Sequence, residues 1–129
     1  MILFRFLTSG ELQMSTRVFV IAQFRPKAGK AAELFEILKA LEPDSLREQG
    51  CIQYILTRQI DHPSASRTDY PIVFNEIWAD GESWAAHGRR QQIKHFFDTQ
   101  VSSPTGLVDD AIVTAYTDEG YEYDAPVFI

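Results

Sequence analysis

Residues 74–90 read FNEIWADGESWAAHGRR and place a carboxyl at Glu76, an indole at Trp78 and an imidazole at His87 within one short span. A neutral imidazole near its ordinary pKa accepts a phenolic proton at physiological pH, so His87 is the candidate general base. Ala85, Ala86 and Gly88 leave room for a ligand beside the ring, and the same small residues would equally let a helix pack closely. Glu76 lies in an apolar stretch, where a carboxyl must be paired, hydrogen-bonded or protonated. It is expected either to orient His87 or a loop, or to form an ion pair with Arg58 on an adjacent strand. Trp78 shares the strand face of Glu76 by period two and would wall an aromatic pocket or simply fill core. Tyr54 could offer a phenol from a second strand, and Asn75 faces away from Glu76. Both complete the set of candidate ligand contacts.

Other chemistries find less support. His87 and His95 stand eight residues apart, roughly 80° around a helix, with no Cys or carboxylate to complete a ligand set, so no metal is expected. Cys51 is the single cysteine, which excludes an intrachain disulfide, and its neighbours Gly50 and Ile52 suggest a small buried thiol in a reducing, cytoplasmic setting. The chain has no Gly-x-Ser-x-Gly, and PKAGK lacks the glycines and the Lys-Ser/Thr pair of a phosphate loop. A net charge of -6 and a pI near 4.9 argue against nucleic acid as a partner. The N-terminal apolar run is short and broken by Arg5, and no segment reaches the length of a membrane span.

The elements that must position these residues follow from periodicity. RVFVIAQFR (17–25) alternates two largely apolar sets, as a strand covered on both faces does. Ala31, Leu34, Phe35, Leu38 and Leu41 recur at helical spacing, and Pro43 starts a further, angled helical turn that runs to a left-handed Gly50. CIQYILTRQI (51–60) and PIVFNEIWA (71–79) read as paired strands around the loop 61–70, which contains Asp61 and His62. One helix is expected from Glu82 to about Val101, and LVDDAIVTAYT (107–117) as the last strand. The order strand, helix, strand, strand, helix, strand predicts an α+β, ferredoxin-like βαββαβ domain over residues 14–129, including a tail at 118–129. Residues 1–13 form an N-terminal extension, or an edge strand at residues 2–7. Because the strands are apolar on both sides and two helices cover one, a homodimer is expected to cover the other.

VFVIAQFRPKAGK, then EQGCIQY, then FNEIWADGESWAAH, resemble in order and spacing the signatures of the antibiotic biosynthesis monooxygenase family, from Arg17 to about Thr117. Glu-x-Trp followed by His nine residues after the Trp carries most of the likeness. The resemblance implies a dimeric α/β-barrel with a pocket between sheet and helices in each subunit. It includes quinol monooxygenases that use no cofactor, haem-degrading enzymes and isomerases. The haem-degrading branch uses an Asn on its first strand and a Trp and His on its second helix. Here those positions are Ala22, His87 and Phe97, which disfavours that branch. The expectation is therefore a cofactor-free monooxygenase for a small electron-rich aromatic and O₂, with His87 as base. A small-metabolite isomerase or a non-catalytic dimeric ligand-binding protein are the alternatives.

Overall fold

The computed structural model describes residues 16–121, so the N-terminal extension and the last residues of the tail lie outside the described residues. Strand β1 (Val18–Pro26) puts Val20, Ala22 and Phe24 on a buried face and Phe19, Ile21 and Gln23 on the other. It is central in a four-stranded antiparallel sheet of order β2-β3-β1-β4, with β2 at Cys51–Arg58, β3 at Ile72–Trp78 and β4 at Val108–Tyr116. This is the ferredoxin-like arrangement that the element order predicts.

Helix α1 (Ala31–Lys39) buries Leu34 and Leu38 against the sheet, each contributing roughly 1.5–3 kcal/mol through the apolar surface it removes from water. Helix α2 (Glu42–Leu46) begins with Pro43 in its first turn, where a missing N–H costs nothing. It is pinned to the sheet edge by Glu42, whose Oε2 accepts the Leu56 amide at 2.7 Å. The expected continuation to Gly50 is shorter in the structure. The helix stops at Leu46, and Gly50, with φ +85°, turns the chain into β2.

The second half of the chain departs from the expectation of one helix. Helix α3 (Gly81–Gly88) starts at Asp80, whose carboxylate accepts the Ser83 amide at 2.7 Å. It ends before Arg90, whose extended backbone (ψ 141°) separates it from α4 (Gln91–Phe96) and a π-helical turn at Phe97–Val101. The continuous apolar spacing concealed this break, because Ile93 and Phe96 still reach the same core as α3.

All the helices lie on one face of the sheet. On the opposite face Ile55, Ile112 and Tyr116 are 48%, 39% and 55% exposed, beside Phe19, Ile21, Val73 and Ile77. A bulge at Ile52 shifts the β2–β3 register, pairing Cys51 with Trp78 and Gln53 with Ile77. Tyr54 thereby comes directly opposite Glu76 with both side chains toward the helices.

Gly50 is the hinge of this arrangement. Its carbonyl accepts the Ala79 amide at 2.7 Å, clipping the α2–β2 turn to the β3–α3 turn, and a Cβ there would lie 2.1 Å from the Ser83 hydroxyl oxygen. Gly50→Ala combines a left-handed backbone with that collision and is expected to lower stability by about 2 kcal/mol. A lower urea midpoint at unchanged slope would be the reading; an unchanged midpoint would mean that the turn rearranges freely.

Candidate active site

A cavity of about 380 Å³ lies between the sheet and α1, α3 and α4, within the size range of small-molecule sites. Its walls are apolar, from Ala22 and Phe24 of β1, Phe74 of β3, and Ile93, Phe96 and Phe97. Three polar side chains meet it: Tyr54, Glu76 and His87.

His87, in the last turn of α3, is 5% exposed. Its Nδ1 is 2.8 Å from Glu48 Oε2, and the same oxygen accepts Arg90 Nη1 at 2.7 Å. A carboxylate only accepts, so Nδ1 carries the proton and Nε2 keeps its lone pair. The ring sits 4.7 Å from that of Trp78 and 5.2 Å from that of Tyr54, centroid to centroid. Burial pushes the imidazole pKa below its ordinary value, the bond to Glu48 opposes this, and the Arg90 charge adds to the lowering. The ring is therefore neutral near pH 7, as a general base must be.

The local sequence explains how the trio assembles. Glu48 lies in the turn that Gly50 bends toward the start of α3, and Arg90 leaves the helix just after His87 in an extended conformation. Arg90 also donates Nη2 to Gln92 at 3.2 Å, which holds the guanidinium across the α3–α4 break.

Glu76 is 5% exposed on β3, and its Oε1 accepts the Trp78 indole N–H at 2.9 Å. It neither hydrogen-bonds His87 nor pairs with Arg58, which is exposed and opposite Ile72 at the far end of the strand. Burial is the main cause that raises its pKa to about 7; the Trp78 bond opposes the rise and the Glu48 charge adds to it. Tyr54 borders the cavity and remains a phenol, because burial drives its pKa strongly upward.

Trp78 does not wall the cavity. It is fully buried behind His87 and sets the position of that ring. Asn75 lies on the opposite face of the sheet, where it donates to Thr57 Oγ1 at 3.1 Å. His62 and His95 are exposed, and Cys51 is half-buried with a thiol raised to about 11 by desolvation. Sequence reasoning missed Glu48 and Arg90. Neither stands in an apolar run that would single it out, and Glu48 is 39 residues from His87.

Residues 17–99 match the family profile described as antibiotic biosynthesis monooxygenase. A solved structure from Shewanella oneidensis is 30% identical, with a TM-score of 0.66 and coverage of 80% of this chain and 91% of its own. A Pseudomonas aeruginosa protein shares the fold at 23% identity and TM-score 0.65, covering 83% of this chain and 98% of its own. So does a Mesorhizobium loti protein of the dabb family with a ferredoxin-like fold, at 19% identity and TM-score 0.62, covering 81% and 99%. No match to this chain is found among the curated proteins.

The raised Glu76 pKa makes stability depend on pH in a defined direction. Between the ordinary value of 4.5 and about 7 the folded state binds the proton more tightly than the unfolded chain. Stability from this group is complete below 4.5 and is lost as pH rises through about 7, at most about 3 kcal/mol. Glu76→Gln keeps the shape without the charge. Relative to the parent it is expected to gain stability as pH rises from about 5 to 8, measured by urea unfolding. A constant difference across that range would mean that Glu76 does not titrate there.

Proposed function

The chain belongs to the antibiotic biosynthesis monooxygenase family, and we propose that it is a cofactor-independent monooxygenase for a small electron-rich aromatic of the quinol, naphthol or anthrone type. The observation that carries this reading is the buried, neutral His87, fixed through Nδ1 by Glu48 and bordering an apolar cavity. Nε2 takes a proton from the substrate, and the Glu48 carboxylate stabilises the imidazolium that forms. The aromatic anion is itself the reductant. For an anthrone-type methylene, CH₂ and O₂ become C=O and H₂O: both oxygen atoms are reduced by the substrate carbon, one staying in the carbonyl and the other leaving as water. The apolar walls exclude solvent and raise the reactivity of the anion. Glu48 is a positioning residue in this scheme, since it acts through the imidazole.

A second copy of the chain completes the fold. The open sheet face carries a contiguous row of apolar side chains, more than a soluble monomer usually exposes, and a two-fold axis would bury it against its own equivalent. Sedimentation at micromolar concentration is expected to give twice the 14.7 kDa chain mass. Ile21→Glu, in the middle of that face, should yield the single-chain mass. A monomeric parent would remove the basis for the barrel.

Metal-free, flavin-free protein is expected to consume oxygen with anthrones or reduced quinones. His87→Ala should lower the rate by about 10²-fold or more. The same sample must keep the fold and assembly of the parent, measured by circular dichroism and sedimentation, for the loss to count as catalytic. Conversion of substrate without oxygen uptake would favour an isomerase, and a folded His87→Ala variant at full rate would sink the base assignment.

A further inference from the structure

His87 explains proton removal but not how an almost wholly apolar cavity would orient a ligand. Glu76 and the Tyr54 phenol are the polar groups left for that task, and Glu76 is the one with an oxygen free to change its protonation. Of its two carboxyl oxygens, Oε1 is held by the Trp78 indole, while Oε2 has no partner among the described residues and is not sealed inside the core. The residue borders the cavity, and no basic side chain among the described residues lies within ion-pair distance of it. We propose that Glu76 is the specificity-determining group of the cavity, acting as a neutral carboxylic acid whose Oε2–H donates to a carbonyl or equivalent lone-pair oxygen of an uncharged aryl ketone.

The surroundings favour the neutral acid over the carboxylate. A buried carboxylate without a cation costs several kcal/mol, and protonation is the cheaper solution. From β2, Tyr54 faces Glu76 as a phenol, and Cys51, opposite Trp78, is a thiol within reach of its charge, neither being charged near neutrality. From β1 the cross-strand neighbour is Val20. α3 contributes the neutral His87, and the α2–β2 turn contributes Glu48, whose negative charge opposes ionisation of Glu76. Arg90 is engaged by Glu48 and Gln92. On the α1 side the cavity is lined by Leu38 and Leu41. A charged ligand would meet no fixed countercharge, whereas a ketone oxygen would meet neutral donors, the Glu76 acid and the Tyr54 phenol, of which only Glu76 changes its charge between pH 5.5 and 8.5. The Oε1 bond to Trp78 leaves the proton on Oε2, because Oε1 already accepts.

This inference rests on the preceding reading only in taking the same cavity as the ligand site. It is tested with 1-tetralone, an uncharged aryl ketone, against tetralin, the same skeleton without the oxygen. The chain has two tryptophans, so their indole N–H signals in an ¹⁵N-labelled sample separate the two events. Trp84 borders the cavity and reports occupancy; Trp78 bonds Glu76 and reports its ionisation. Near pH 5.5, 1-tetralone is expected to bind roughly tenfold more tightly than tetralin, the worth of about one hydrogen bond. That preference should vanish near pH 8.5, and saturating ketone should raise the Trp78 titration midpoint by about one unit. In Glu76→Gln, an amide donor, the ketone preference should persist at both pH values; in Glu76→Leu it should disappear at both. A pH-independent preference in the parent, or a ketone preference surviving in Glu76→Leu, overturns the assignment. Equal binding of both probes at every pH overturns it while leaving the His87 chemistry intact. If neither probe moves the Trp84 signal, the cavity is not the ligand site and both readings fall together.

Discussion

One carboxylate oxygen organises the polar part of this molecule. Glu48 Oε2 accepts from both the His87 imidazole and the Arg90 guanidinium, joining the turn before β2 to the end of α3 and to the start of α4. Removing the shared oxygen would leave a buried ring nitrogen and a part-buried guanidinium without their acceptor, a change that usually costs far more than a surface ion pair is worth. The break between the helices coincides with this bond. Arg90 adopts an extended backbone where a continuous helix would carry its side chain away from Glu48, and the redirected α4 brings Ile93 and Phe96 over the cavity.

The half-buried Glu48 and the buried Glu76 show how strongly neighbours decide the behaviour of one functional group. Glu48 has a guanidinium and an imidazole as hydrogen-bond donors. Glu76 has a single indole, and the repulsion from Glu48 adds to the cost of its ionisation. Glu76 is thus a group whose charge state varies near neutrality, and it borders the same apolar cavity as the imidazole.

The sheet was legible in the sequence because its signals are local. Alternation in 18–26 and 72–78 fixes which side chains face the helices, and Glu76 and Trp78 follow from that parity. The Ile52 bulge is what a periodic reading does not see, and it resets the phase of β2 so that Tyr54 meets Glu76. The site was legible only in part. His87 stands out by type in a stretch of small residues, whereas its partner Glu48 is one acid among many in a chain with an excess of them. What selects Glu48 is the left-handed turn at Gly50, a tertiary fit against Ser83 and Ala79 that no periodicity encodes. The paired fates proposed for Glu76, to orient His87 or to meet Arg58, failed for a related reason. They looked to the helix, a loop or the adjacent strand, while the indole two residues along the same strand was close enough to bond one of the carboxyl oxygens.

These groups leave the cavity uncharged only in a window below neutrality. Below the lowered His87 pKa the ring is an imidazolium and cannot accept a proton; above about 7 Glu76 becomes an anion facing apolar walls. Between those limits every polar group that meets the cavity, Tyr54, Glu76 and His87, is uncharged. In the proposed reaction a neutral ring would then enter at little desolvation cost, and charge would arise only as the proton moves to His87. The Glu48 carboxylate already lies 2.8 Å from that ring, so stabilisation of the new cation requires no rearrangement of the protein. The substrate anion resulting from the proposed reaction would sit in the same dry space, where the neutral Glu76 acid, the Tyr54 phenol and the imidazolium are donors among the described residues. The two carboxyls would have separate tasks in the proposed reaction: Glu48 would compensate the base, and Glu76 the anion that the base creates.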